Sequence, residues 1–392
     1  MVRFDKSAAR VAVLTGILAL SACAPAVTAQ GPATPAQQKG AFDPATPTAI
    51  ALLAPLTASN TGAARLGQAI ANSANIGLQD LNDPLVSLKI YDTAGDANVA
   101  RQVAQRALDE GARLIVGPLF GQNASAIAPL AAARGIKVIS FSTDSTVAGD
   151  PVYLSGFLPE MEARRITSFA RGRGLDQIAI FYPQNVAGTL ALRGAQTGSG
   201  PGLSVQAAFE RSEAGIPLAA RTFAASVMSS GTKAVLVPEG GQALAYIAST
   251  LAREGVTPQR YKFLGLGQWN AKATIESKQV VGGWFPSPEP SAVSGFVNRY
   301  RSLYGAVPSP LAALGYDAVQ IAGQMLIEAR TVGAKAPFST EAVTRPQGFR
   351  GVYGPIRFDR NGLGERSVAI LEVGEEVFSS VDPAPVVFDL GS

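Results

Sequence analysis

The chain has 392 residues, 47% of them hydrophobic and 7% aromatic, and a formal net charge of +4. This length allows two lobes with a large buried core, and the composition excludes a disordered or fibrous chain. No basic cluster interleaved with aromatic residues occurs, so we expect no nucleic acid partner. The chain contains no histidine, which excludes Ser-His-Asp catalysis and histidine-ligated metal sites. We therefore expect no catalytic residues, no metal and no cofactor.

The first residues have the layout of a secretory signal peptide, which we place at 1–22. Basic residues precede the apolar run Val11–Leu20, which is too short to span a bilayer. Cys23, the only cysteine, follows within three residues, where a bacterial lipoprotein is cleaved and acylated. The alternative is an ordinary cleavage site followed by an incidental cysteine. We prefer lipidation of Cys23, because the cysteine lies in the one place that acylation requires.

Residues 23–47 are rich in Ala, Pro, Thr and Gln, and we interpret them as a flexible tether between the lipid and a folded domain. Ala24 follows the cysteine in place of an aspartate. By resemblance to lipoprotein sorting in Gram-negative bacteria, this favours the periplasmic side of the outer membrane over the inner membrane. We therefore expect a membrane association through the lipid anchor.

From residue 48 onward, predicted strands alternate with predicted helices. The predicted strands are 48–56, 86–91, 114–116, 137–139, 152–157, 177–182, 203–209, 234–237 and 261–266, with a return segment at 280–285. The predicted helices are 63–81, 98–110, 122–134, 161–173, 185–196, 217–229, 242–254, 291–304 and 310–331. This alternation predicts largely parallel sheets with right-handed crossovers and helices on both faces. Asn361-Gly362 predicts a hairpin between 356–359 and 366–373.

The segment from Arg113 to Val147 has the pattern strand, loop, helix, strand, loop. Its two loops, 118–123 and 142–146, follow the carboxyl ends of neighbouring strands, which is the edge where open α/β sheets bind ligands. The candidate crevice residues lie in loops of this kind: Thr57, Gln122, Asn123, Ser142, Thr143, Asp144, Asn185, Gln268 and Trp269. We interpret Asp92 and Asp317 as groups that make capping or hinge hydrogen bonds, not ligand contacts.

Six stretches, in chain order, carry a family resemblance: Ile50–Thr57, Tyr91–Ala94, Ile115–Leu119, Val138–Ser140, Gly315–Val319 and Phe349–Asp359. They resemble the type I periplasmic-binding fold of the leucine/isoleucine/valine-binding family. The resemblance implies an α/β fold of two doubly wound lobes with mostly parallel sheets, joined by a three-segment hinge. Each lobe would then be discontinuous, with 48–157 and 286–345 in the first, 158–285 and 346–384 in the second, and a tail at 385–392.

Amino-acid receptors of this family hold the ligand's carboxylate and ammonium in the crevice, and most of that clamp is missing here. Phe120-Gly121-Gln122 stands where the family has serines. Asp144 places a negative charge near the expected carboxylate site. Asn185-Val186-Ala187-Gly188 replaces a Tyr-Gly pair, and 267–270 offers no carboxylate where the family has an acidic residue.

These departures, with the lipoprotein signal and tether, fit a narrower group through Gly117–Asn123, Ile139–Asp144, Asn185–Gly188 and Gly282–Phe285. These stretches resemble the penicillin-binding protein activator lipoproteins of alphaproteobacteria. The resemblance implies a non-catalytic lipoprotein that binds and activates a bifunctional penicillin-binding protein, a peptidoglycan synthase.

The alternative is a lipid-anchored solute-binding protein of an ABC importer, with an amino acid or related small metabolite in the inter-lobe crevice. A third hypothesis, a cell-wall hydrolase, has almost no support in the sequence.

Overall fold

The computed structural model describes residues 41–388. The predicted signal peptide, Cys23 and most of the predicted tether lie outside these residues. The strands are β1 (Thr48–Ala54), β2 (Val86–Asp92), β3 (Leu114–Val116), β4 (Lys137–Ser140), β5 (Val152–Leu154), β6 (Ile178–Pro183), β7 (Leu203–Phe209), β8 (Ala234–Leu236), β9 (Lys262–Leu264), β10 (Trp284–Ser287), β11 (Phe349–Gly351), β12 (Gly354–Phe358), β13 (Gly364–Arg366), β14 (Ala369–Val373) and β15 (Phe378–Asp382).

The α-helices are α1 (Thr61–Leu81), α2 (Ala97–Asp109), α3 (Gly121–Ala133), α4 (Pro159–Gly172), α5 (Val186–Ser199), α6 (Gly215–Ser229), α7 (Gly241–Arg253), α8 (Lys272–Ile275), α9 (Pro290–Tyr304), α10 (Ala313–Val332) and α11 (Thr340–Val343). Short 3-10 turns lie at Ser145–Val147, Gly200–Gly202, Gly267–Trp269, Lys278–Val280 and Pro310–Ala312. The predicted helix 310–331 therefore begins as a 3-10 turn before α10. No helix of the described chain combines the length and the apolar character that crossing a membrane would require.

In the part of the chain that the structure describes, the first sheet has five parallel strands in the order β2-β1-β3-β4-β5. Strand β1 shows why both faces are covered, since alternate side chains of a strand point in opposite directions. Ile50 and Leu52 pack in the core that α1 and α10 complete. Ala51 and Leu53 pack in the core that α2 and α3 complete. A parallel sheet buried on both faces matches the apolar runs of its strands.

The second sheet has seven strands within residues 41–388, in the order β15-β14-β10-β9-β8-β6-β7. Strands β6 to β10 are parallel, while β14 and β15 join antiparallel at one edge. Helices α4 and α5 cover one face and α6 and α7 cover the other. The alternation of strands and helices predicted this arrangement, except for β15, which the sequence did not suggest.

The described chain crosses between the two sheets three times. The first crossing lies between β5 and α4, and the second between β10 and α9. The third crossing was predicted at residue 346, and this position is wrong. Strands β11 to β13 form a small sheet whose Phe349, Ile356 and Phe358 pack in the core of the first sheet. The chain therefore crosses only after Arg366.

The Asn361-Gly362 turn joins β12 and β13, which pair antiparallel as predicted. The predicted single strand 366–373 is wrong, because β13 ends at Arg366 and β14 begins at Ala369 in the other large sheet. The turn is held against β5, since the Leu154 amide donates to the Gly362 carbonyl over 2.8 Å. Gly362 has φ +80°, and a Cβ there would lie 2.4 Å from the Val152 carbonyl oxygen. Only glycine fits this turn.

Candidate functional site

The loops that follow β1 and β2 are tied together by Asp92. Its carboxylate accepts hydrogen bonds from the Leu56 amide at 2.9 Å, from the Thr57 amide at 3.2 Å and from the Thr57 hydroxyl at 2.5 Å. Burial opposes ionisation of Asp92, but the hydrogen bonds from Thr57, Ala94 and Leu56 outweigh burial and lower its pKa. Asp92 therefore makes the loop hydrogen bonds that the sequence led us to expect. Thr57 lies at the expected edge with an exposed side chain.

The amino terminus of α3 gathers three of the predicted crevice residues. Phe120 precedes the helix and provides no side-chain cap. The Gln122 side chain reaches the Gly95 carbonyl at 3.5 Å. A Cβ built on Gly121 would lie 3.1 Å from Asp144 Oδ2 and 3.2 Å from Ser142 Oγ. The loops after β3 and β4 therefore bring Gln122, Ser142 and Asp144 together around the positive end of a helix.

Across the first crossing, α4 contributes a buried carboxylate that the sequence did not lead us to expect. Glu162 is 8% exposed, and its Oε2 accepts a hydrogen bond from the Gly267 amide at 3.3 Å. Burial raises the pKa of Glu162 to about 7, against the lowering effect of that hydrogen bond. A Cβ on Gly267 would lie 2.4 Å from Glu162 Oε1.

The 267–270 loop has no carboxylate of its own, as its sequence shows, but α4 places the Glu162 carboxylate against it from another part of the chain. The sequence does contain two carboxylates, Glu160 and Glu162, in the first turn of the helix that begins at Pro159. The contact between α4 and the loop depends on the tertiary fold, so the residues of the loop alone could not reveal it.

Trp269 and Asn123 were predicted to line the crevice, and both predictions are wrong. Trp269 is fully buried, its Nε1 donates to the Glu239 carbonyl at 2.8 Å, and its ring packs 6.2 Å from that of Phe285. Asn123 is also fully buried, and its side-chain nitrogen and oxygen have no hydrogen-bond partner in the described structure. Each is the third residue of its helical segment, where the side chain points into the protein.

The remaining predicted residues are exposed and differ in what they contact. Asn185 caps α5 by accepting from the Gly188 amide at 2.8 Å. Gln268 donates to the Pro238 carbonyl at 3.0 Å. Thr143 is exposed beside Ser142. A ligand contact by any of them remains a prediction.

One hydrogen bond links the Asp144 loop to the other side of the crossing. The Ser145 hydroxyl donates to Glu160 Oε2 at 2.7 Å, and Arg193 Nη1 lies 3.8 Å from the same oxygen. Ser145 belongs to the loop after β4, whereas Glu160 belongs to α4 over the second sheet. The loop after β4 and the amino-terminal turn of α4 therefore meet at this contact.

The crossing segments are fixed by Arg366 of β13. Its Nη1 donates to Asp317 Oδ2 at 2.7 Å, and its Nε and Nη2 donate to the Ser155 carbonyl at 2.9 and 2.8 Å. The guanidinium also lies 5.0 Å from the ring centre of Phe157. The interpretation of Asp317 as a structural group is confirmed, since its other oxygen accepts from the Val352 amide at 2.6 Å.

A cavity of about 210 Å³ lies beside these segments, lined by Phe157, Glu162, Arg164, Arg165, Glu365 and Arg366 among others. Two of its arginines are ion-paired at its rim, Arg164 with Glu365 and Arg165 with Asp382. Among residues 41–388, no group of acidic side chains is arranged to hold a metal ion.

Solved structures share this fold over nearly the whole chain. One from Rhodospirillum rubrum, described as a putative branched-chain amino acid ABC transporter, is 18% identical with TM-score 0.74, covering 86% of this chain and 100% of its own. A leucine-binding protein from Thermotoga maritima is 21% identical with TM-score 0.59, covering 85% and 97%. A solute-binding protein from Rhodopseudomonas palustris, in complex with 3,4-dihydroxybenzoic acid, is 17% identical with TM-score 0.61, covering 88% and 98%.

At these identities the likeness establishes the fold, which has two lobes of α/β structure with mostly parallel sheets. No curated protein matches the chain in sequence. The family model described as "Periplasmic binding protein" matches residues 47–376. The chain therefore belongs to the periplasmic binding protein family.

Proposed function

We propose that this protein is a solute-binding protein that holds a small molecule in the crevice between its two lobes. The observation that carries the proposal is the α3 amino terminus, which lacks a side-chain cap and is surrounded by Gln122, Ser142 and Asp144. Polar groups that converge at the carboxyl ends of parallel strands are the usual binding arrangement of open α/β folds. The descriptions of similar structures as a leucine-binding protein and a dihydroxybenzoate complex support a small-molecule ligand.

The mechanism that we infer is closure of the lobes around the ligand. The first lobe would contribute the α3 terminus and the Asp144 loop, and the second would contribute the Gly267 loop with Glu162 behind it. The Ser145–Glu160 hydrogen bond joins the loop after β4 to the amino-terminal turn of α4, so it would form or tighten on closure. If the ligand binds more tightly when both lobes contact it, its binding shifts the protein toward the closed state.

The experiment is a thermal-shift screen of the purified protein against amino acids, amines, aromatic acids, peptides and nucleosides, followed by small-angle scattering. A ligand at 100 times its Kd stabilises the native state by about 2.7 kcal/mol, so a true ligand raises Tm clearly. The radius of gyration should fall with the same ligand.

A Q122A variant should weaken the hit, while the matched Q105A variant should not, because Gln105 lies on α2 and binds Asp109. The absence of any ligand-dependent shift would count against the proposal.

The second candidate is an activator of a bifunctional penicillin-binding protein, as the sequence resemblance implies. Trp269 is buried and Asn185 caps α5, so neither side chain replaces the groups that hold an amino acid's carboxylate and ammonium in this family. The lack of such groups favours a role other than amino-acid binding. The test is co-purification with the organism's bifunctional synthases, followed by the rate of glycan polymerisation with and without the protein. Stimulation of a synthase in the absence of any small ligand would favour this candidate over the first.

We also propose that Cys23 is lipidated and that the protein is anchored on the periplasmic side of the outer membrane. The support is the position of Cys23 after an apolar segment and the identity of Ala24. Mass spectrometry of the mature amino terminus tests the modification, with C23S as the control. Fractionation of the two membranes tests the location, and a C23S protein that stays membrane-bound would contradict the anchor.

A further inference from the structure

We propose that the cavity of about 210 Å³ at the first and third crossings is a second ligand site, which takes a small monocarboxylate with an apolar body. The site is separate from the crevice, since none of the predicted crevice residues lines this cavity. The inference therefore goes beyond the proposed function and does not depend on it. It rests on the shape of the cavity, on a buried carboxyl group in its wall and on the hydrogen-bonding groups that the wall leaves unused.

The wall of the cavity is built from both lobes. One part is a single face of α4, whose residues follow helical spacing: Met161, Arg164, Arg165 and Ser168. Another part is β13, Gly364–Arg366, which belongs to the small sheet of the first lobe. An occupant would contact both lobes at once, so its binding would favour the arrangement in which they lie together here.

The size of the cavity and its apolar side chains suit one ring or a short branched chain. Leu158 and Val368 are buried and Phe157 is half-buried, and all three line the cavity. An engineered apolar cavity of about 150 Å³ is large enough to bind benzene. A volume of about 210 Å³ therefore leaves room for one ring and a single polar group.

Glu162 contributes a buried carboxyl group with an unused oxygen. It lines the cavity and is 8% exposed, and within residues 41–388 only its Oε2 is hydrogen-bonded, to the Gly267 amide at 3.3 Å. Burial raises the pKa of Glu162 to about 7, so below neutral pH the group is an uncharged carboxyl that can donate a hydrogen bond. The carboxylate of a ligand accepts such a bond, which is strong because the acceptor is charged.

The ionised carboxylates beside the cavity are already matched, whereas guanidinium N–H groups remain. Glu365 accepts from Arg164 at 3.0 Å and from Arg357 at 2.9 Å. Arg165 is paired with Asp382. A guanidinium has five N–H donors, and within the described residues Arg164 and Arg165 each donate to a single carboxylate oxygen. A cationic ligand would therefore find no free ionised carboxylate here, while an anionic ligand would find spare donors.

The test is calorimetric titration of the purified protein with three ligands of similar shape: benzoate, benzamide and benzylamine. The titration is done at about pH 6, below the raised pKa of Glu162. We expect benzoate to bind with a Kd below about 1 mM. It should bind about tenfold more tightly than benzamide, because a hydrogen bond to an ionised acceptor is roughly twice as strong as a neutral one. Benzylamine should bind more weakly than both.

Four variants locate the site. R165Q should weaken benzoate binding about tenfold, since it removes a charged donor from the wall. R171Q is the matched control, because Arg171 is an exposed arginine of the same helix that does not line the cavity. S168F should obstruct the cavity without disturbing the core, since Ser168 is exposed. Q122A should leave benzoate binding unchanged, because Gln122 lies at the crevice.

The outcomes separate this inference from the proposed function. If benzamide or benzylamine binds as tightly as benzoate, the preference for a carboxylate is overturned. If R165Q and R171Q weaken binding equally, or S168F binds benzoate as the wild type does, the location is overturned. If Q122A abolishes binding, benzoate occupies the crevice, which overturns this inference and supports the proposed function. If the wild-type protein does not bind benzoate, the inference is overturned, and the thermal-shift screen decides the proposed function on its own.

Discussion

Arg366 Nη1 lies 2.7 Å from Asp317 Oδ2, and the two side chains are 4% and 0% exposed. Asp317 belongs to α10 in the first lobe, and Arg366 is the last residue of β13 before the third crossing. Since Arg366 also holds the Ser155 carbonyl in the first crossing, this one guanidinium joins two of the three crossing segments. The geometry of the lobes relative to each other therefore depends on a fully satisfied buried charge pair.

Removing one partner of this pair should be strongly destabilising. An R366M variant leaves the Asp317 carboxylate buried without its cation, which costs about 3–5 kcal/mol of unfolding free energy. The double variant R366M/D317L should recover much of this loss, because both charges are removed. Urea unfolding measures the effect. As a control, K272M breaks an exposed Lys272–Glu276 pair and should change stability by less than about 1 kcal/mol. An R366M protein as stable as the wild type would contradict the assignment.

Glu162 should make the stability of the protein fall as pH rises toward neutrality. Burial raises its pKa from the ordinary 4.5 to about 7. Between these two values the folded state keeps a proton that the unfolded state has released, so the folded state is favoured less as pH increases. The contribution lost between pH 4.5 and pH 7 is about 3 kcal/mol.

The measurement is the unfolding free energy of wild type and E162Q at several values of pH from about 4.5 to 8, which brackets both pKa values. The stability of E162Q relative to wild type should rise across this window. E276Q, at an exposed position directly after α8, is the control and should follow the wild-type profile. A constant difference between E162Q and wild type at all pH values would show that folding does not raise the pKa of Glu162.

A side chain at Gly267 should displace the Glu162 carboxylate. The Cβ of a G267A variant would lie 2.4 Å from Glu162 Oε1, so the carboxylate must move and give up its hydrogen bond with the Gly267 amide, at a cost of about 1 kcal/mol. G295A is the control, because a Cβ on Gly295 in α9 meets nothing within 4 Å and should stabilise the helix by about 0.5–1 kcal/mol. Combining G267A with E162A should relieve the clash. Thermal unfolding of these variants and the wild type checks the prediction, and an unaffected G267A would disprove the contact.

The Ser145–Glu160 hydrogen bond should favour the arrangement in which the loop after β4 contacts the amino terminus of α4. An S145A variant loses a hydrogen bond to a charged oxygen, worth about 1.5–3 kcal/mol. We expect a larger radius of gyration for S145A in small-angle scattering and a weaker affinity for any crevice ligand. S125A, on the exposed side of α3, is the control. Identical scattering of S145A and wild type would mean that this bond does not hold the lobes.

The sequence predicted the two parallel sheets because their strands are short apolar runs between helices of ordinary length. It also placed Gln122, Ser142 and Asp144 at one edge, since loops after neighbouring parallel strands meet there. It failed for Trp269 and Asn123, because a shift of one residue in a helical turn decides whether a side chain faces solvent or core. It did not indicate Glu162, whose role depends on the tertiary placement of α4 against the Gly267 loop, and no local pattern encodes such a contact.

The sequence also could not show which lobe contains the small sheet of β11 to β13. The third crossing was placed too early because the segment 349–366 has an ordinary pattern of strand and turn. Its side chains could pack against either lobe by composition alone. The Leu154–Gly362 hydrogen bond and the burial of Phe349 and Phe358 place this small sheet in the first lobe. These contacts join residues that are far apart in the sequence.

The three crossings have a consequence for anyone who wishes to study one lobe alone. The core of the first sheet includes Leu314 and Leu326 of α10, which lie far along the chain from β1. A truncation after β10 would therefore leave one face of the first sheet covered by α1 without α10. The carboxyl-terminal remainder would in turn lack β6 to β10, and β14 pairs with β10 at the edge of that sheet. Isolating a single lobe requires its separate stretches to be fused through new linkers, and a nascent chain can complete its first lobe only after the second lobe's central strands have been synthesised.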